Sequence, residues 1–60
     1  MSNLKDIINM LSLEPESEID AIIKTYYPQL QDLFLPLPFL RKVDIAAECL
    51  LKDNDNNGEH

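Results

Sequence analysis

"YYPQLQDLFLPLPFL", Tyr26 to Leu40, holds three of the chain's four prolines and an unbroken apolar run from Leu33 to Leu40. Upstream of it, Ile19, Ile22, Ile23 and Tyr26 recur at helical spacing, and the same stripe continues through Leu30, Leu33 and Phe34. Periodicity alone would make this one long helix. Pro28 interrupts it, because proline has no N–H to donate and its ring collides with the carbonyl of Lys24. It also biases Tyr27 towards an extended conformation. The spacing therefore predicts a helix over 15–27, a break at Tyr27–Pro28 and a possible short helix over about 28–35. The run from Leu33 to Leu40, with Pro36 and Pro38 inside it, suits neither a regular helix nor a central strand. Residues 36–38 are expected to be extended, and Pro38 to open a last helix over about 38–52.

Working outward, Leu4, Ile7, Ile8 and Leu11 follow the i, i+3, i+4, i+7 pattern of a first helix over about 2–13, with Ser2 as its expected cap. Pro15 suits the first position of the second helix, and Glu16, Glu18 and Asp20 fill its first turn, where carboxylates complement the helix dipole. On the last helix, Leu40, Val43, Ala47, Leu50 and Leu51 form the expected apolar side. Arg41, Lys42, Asp44, Glu48 and Lys52 form the polar one. The fold class is all-α: a small bundle or array of three main helices, with residues 1–52 as a single helical domain and 53–60 as a disordered acidic and polar tail.

Sixty residues bury only about 60% of the surface the unfolded chain exposes, so help from a metal, a disulfide or a partner is expected. Cys49 is the single cysteine, which excludes an internal disulfide. With His60 it gives too few soft ligands for structural zinc. Oxygen-held metal or self-association remains, and self-association is the preferred reading, with no cofactor and no metal. The net charge of −6 works against binding nucleic acid phosphates or anionic lipid surfaces. No stretch approaches the ~20 apolar residues of a membrane span. The early Asp6 argues against a signal peptide, and one reduced cysteine fits a cytoplasmic protein.

Two stretches resemble known families. Glu18, Ile19 and Asp20, followed by Ile22, Ile23 and Tyr26, resemble the core of small sporulation-control phosphatases, marked by Ser-Gln-Glu-Leu-Asp, an apolar pair and a tyrosine. That resemblance implies an alternative function: hydrolysis of response-regulator aspartyl phosphates, with Asp20 orienting water. Glu16 and Ser17 stand where that family has Ser-Gln, and the prolines after Tyr26 have no counterpart in it. Asp53, Asp55, Asn57 and Gly58 resemble the first half of an EF-hand calcium loop. The bidentate glutamate that closes such a loop is missing, and Lys52 replaces the apolar residue that precedes it. Weak calcium binding at the tail is thus a further alternative.

Nucleophilic triads, phosphate-binding glycine loops and redox cysteine pairs are all absent from the sequence, so the chain reads as non-enzymatic. The apolar run is the feature that one short chain cannot fully bury. The leading expectation is a small acidic protein-interaction module of the regulator, inhibitor or adaptor type, binding a protein partner and forming a homo-oligomer. Its expected anchors are Tyr27, Phe34, Leu35, Leu37 and Phe39, with Arg41 and Lys42 at the rim.

Overall fold

A computed structural model describes the backbone of residues 3–58 and the side chains of residues 3–53. Helix α1 spans Leu4–Leu11 and α2 spans Glu16–Tyr26. A 3₁₀ turn at Pro28–Leu30 leads into the single-turn α3, Gln31–Phe34, and α4 runs from Phe39 to Gly58. Among the described residues there is no strand. The fold is small and all-α, with α1, α2 and α4 as its main helices.

Each boundary has a local cause. Asn3, in an extended conformation, caps α1: its Oδ1 accepts from the Asp6 N–H at 3.0 Å. The expected cap, Ser2, lies outside the described residues. α1 ends at Leu11 rather than 13, and Ser12 closes it by donating its hydroxyl to the Asn9 carbonyl at 2.8 Å. Pro15 sits just before α2 rather than inside it, in an extended conformation, and its carbonyl accepts from the Glu18 N–H at 3.0 Å. Tyr27 leaves helical geometry at φ −135°, ψ 64°, as the residue before Pro28 should. Residues 36–38, expected to be extended, instead begin within a turn: the Leu37 N–H reaches back to the Phe34 carbonyl at 3.0 Å. Leu35 remains helical, because Pro36 is tolerated where the chain is already leaving α3.

α4 is the organising element, and α1 and α2 both pack against it. Val43, Ala46 and Ala47 form the buried centre of its inner face, and the two alanines let the neighbouring helices approach closely. Ile7 and Leu11 from α1, Ile19 and Ile23 from α2, and Phe34 from α3 complete the core. The expected inner face of α4 holds at Val43, Ala47, Leu50 and Leu51 and departs from expectation at its N-terminal end. Leu40, placed inside by its spacing, is 72% exposed, while Lys42, placed outside, is 1% exposed. α4 also continues past Lys52, where the sequence suggested its end, to Gly58. No proline interrupts the Asp/Asn run, and its modest helix propensities each cost only a few tenths of a kcal/mol up to about 0.7.

The molecule measures 34 × 24 × 14 Å along its principal axes. With helix axes packing about 8–10 Å apart, the short dimension admits no more than two helix layers. Such a thin body cannot enclose every apolar side chain. Met10, Leu13, Leu30, Leu33 and Leu40 stand among those left exposed.

Candidate interaction surface

The break at Pro28 opens an apolar concavity. Because the chain turns there, Leu30 and Leu33 project beside Tyr27 and Leu37, over a floor formed by Ile23, Phe34 and Ile45. The resulting groove is open, holds about 240 Å³ and has no charged lining residue. Leu33 is 70% exposed, although the helical stripe had pointed it inward. Tyr27 and Ile45 also line a neighbouring groove of about 400 Å³ with Leu4 and Leu51, of mixed character because Glu48 and Lys52 line it too.

The expected anchors separate into groups. Tyr27, Phe34 and Leu37 meet in the apolar groove, Tyr27 exposed at its edge and Phe34 buried as its floor. Leu35 is exposed but lines a different concavity, with Asp20 and Lys24. Phe39 packs partly buried against the core, and Arg41 is exposed. Sequence reasoning missed Leu30, Leu33, Ile23 and Ile45 as groove residues. The signal for the first three was already present: they belong to the α2 stripe that Pro28 redirects.

Lys42 requires the largest correction, because it is buried and not at a rim. Its ammonium lies 2.6 Å from Glu16 Oε2 and 2.8 Å from Asp20 Oδ1, and it donates to the Leu35 carbonyl at 3.2 Å. The contact to Asp20 Oδ1 is an ion pair without the direction of a good hydrogen bond; that oxygen is buried and has no other polar partner among the described residues. The two carboxylates hold the Lys42 pKa above its ordinary value, Asp20 more than Glu16, against the opposing effect of burial. A sequence signal existed here too. Glu16 and Asp20 are four residues apart, like charges on one helix face, an arrangement that asks for a cation between them.

This geometry gives Asp20 a structural occupation. Its carboxylate faces the Lys42 ammonium, and its side chain is about a quarter exposed. Cys49 is buried, and burial raises its thiol pKa, the opposite of what an activated nucleophile needs. Among the described residues, no group of three or more His, Cys, Asp or Glu side chains stands close enough to hold a metal. The backbone from Asp53 to Gly58 is helical, a different path from the loop that wraps a calcium ion. The side chains beyond Asp53 lie outside the described residues. No described helix is long and apolar enough to cross a membrane.

Comparison with known proteins gives no match: no protein family, no curated protein and no solved structure resembles this chain significantly.

Proposed function

We propose that this chain is a small, acidic, non-enzymatic protein-interaction module of the regulator, inhibitor or adaptor type, acting in the cytoplasm. It pairs with a second copy of itself through the groove bordered by Tyr27, Leu30, Leu33 and Leu37. The observation that carries this reading is the groove's lack of charge on a chain of net charge −6. Three further concavities among the described residues include charged side chains in their lining: Glu48 and Lys52, Glu14 and Glu18, or Asp20 and Lys24. Two copies of an acidic chain repel, and burying carboxylates against each other adds a desolvation cost. A face lined only by apolar groups avoids that second penalty.

The magnitudes are of the right size. Burying a fully exposed leucine or comparable side chain is worth roughly 1.5–3 kcal/mol. Leu33, 70% exposed, has most of that to gain, and Tyr27 and Leu30, each 41% exposed, less than half. Twofold symmetry counts Tyr27, Leu30 and Leu33 twice, against an association cost of about 4–15 kcal/mol. The single reduced cysteine supports the cytoplasmic assignment.

Sedimentation of the wild type and of Leu33→Ser tests the reading. Leu33 is mostly exposed, so the variant should keep its helical circular dichroism, whereas a Phe34 substitution would damage the core. The wild type should sediment at twice its 6.9 kDa chain mass at sub-millimolar concentration, and the variant as a monomer. A monomeric wild type, or a variant that dimerises equally well, would overturn the proposal.

A further inference from the structure

A second apolar concavity lies at the corner between α1 and α2 and shares no lining residue with the first. It holds about 340 Å³ and is lined by Met10, Leu11, Leu13 and Ile22 together with Glu14 and Glu18. The turn after α1 exposes the apolar part. With the Leu13 N–H bonded to the Met10 carbonyl at 3.2 Å and the Glu14 N–H to the Leu11 carbonyl at 3.0 Å, Leu13 is left 84% exposed and Met10 66%. Leu11 is buried and Ile22 half-buried, so both belong equally to the core. The two glutamates are exposed, and no lysine or arginine lines the groove. Among the described residues, the ion pairs closer than 4 Å are those of Lys42 with Glu16 and Asp20, so the charges of Glu14 and Glu18 are unmatched.

That charge selects the occupant. A second copy would bring two glutamates against two more, and an anionic ligand would be repelled. We infer that the α1–α2 corner docks a cationic amphipathic helix of another protein, its apolar side chains on Met10, Leu13 and Ile22 and its Lys or Arg residues against Glu14 and Glu18. Helix-in-groove recognition needs an apolar floor for anchors at helical spacing and a rim that fixes orientation, and both are present here. This surface is independent of the Tyr27 groove, so it stands or falls separately from self-association.

The test is an NMR titration of the full chain with a synthetic amphipathic helix carrying leucines on one face and lysines on the other. Its counterpart, with glutamate in place of every lysine, serves as the control. The lysine peptide should shift the amides of Met10 to Glu14, Glu16 to Glu18 and Ile22, and the glutamate peptide should shift none. Glu14→Lys with Glu18→Lys should weaken binding at least tenfold, and so should Leu13→Ser. All three positions are exposed, and unchanged amides elsewhere would show that the fold is kept. Shifts spread evenly over the acidic surface, shifts centred on Tyr27 to Leu37, no shifts at all, or undiminished binding by the charge-reversed variant would each overturn the inference.

Discussion

At the scale of single residues, Lys42 decides more than any apolar side chain. Removing a lysine ammonium from water is costly unless oxygens replace the solvent, and Glu16, Asp20 and the Leu35 carbonyl do so. Lys42→Met keeps the aliphatic stem while leaving the buried Asp20 Oδ1 unpaired, and should cost about 1–3 kcal/mol in urea denaturation. Adding Asp20→Asn should recover part of that loss, because the stranded charge disappears with its partner. Losses that merely add would contradict the pairing. The alkaline limb of stability follows from Lys42 together with the half-buried Tyr26 and the buried Cys49. Burial first, then the Asp53 carboxylate, raises the Tyr26 pKa; burial raises that of Cys49; and Asp20 and Glu16 raise that of Lys42. In each case the unfolded chain releases its proton at lower pH than the folded one. The stability these groups contribute is thus intact below their ordinary values and lost as pH rises through the folded values. The thermal midpoint should begin to fall above about pH 9.0, the ordinary thiol value, and fall further past the ordinary tyrosine value of 10.0. A midpoint unchanged well beyond the latter would contradict the upward shift of all three.

At the scale of elements, Pro28 converts one apolar stripe into a core face and an exposed edge. Ile19 and Ile23 stay buried before the break, Phe34 is buried after it, and Leu30 and Leu33 between them are turned outward. Pro28→Ala would remove a helix-interior penalty of about 3 kcal/mol for a continuous helix. The expected variant joins α2 to α3, gains helical circular dichroism and loses thermal stability as Phe34 leaves the core. An unchanged spectrum would show that packing around Phe34, and not proline, holds the break. The existence of the helices was readable because apolar spacing and proline positions are local signals. The exchange of Leu40 for Lys42 at the start of the inner face of α4 was not. Leu40 and Lys42 differ by two positions, and which one turns inward depends on Glu16 and Asp20 of another helix, information that no local window contains.

At the scale of the whole molecule, the two grooves proposed as docking surfaces differ in charge, and salt should separate them. Screening shortens the Debye length from about 10 Å at 0.1 M to about 3 Å at 1 M. Self-association through the uncharged groove should tighten with added salt, since the repulsion between acidic copies is screened. Sedimentation at the two concentrations reads this directly, and weakening with salt would mean that ion pairs hold the interface. The apolar run advertised a sticky surface in the sequence, and Tyr27, Phe34 and Leu37 do meet in one groove. Leu30 and Leu33, not among the expected anchors, complete its border, because exposure is set by how much of a stripe a neighbouring helix can cover. Met10 and Leu13 gave still less warning: they reveal a surface only once α1 is seen to stop at Leu11.

The bond from Lys42 to the Leu35 carbonyl ties α3 and the turn after it, which carry Leu33, Phe34 and Leu37, to both α2 and α4. In a mutational screen scored by binding, substitutions of Lys42, Glu16 or Asp20 would therefore register as interface hits while touching no partner. Deep scanning of this chain needs a parallel abundance or stability readout, or its interaction map will be drawn around a salt bridge.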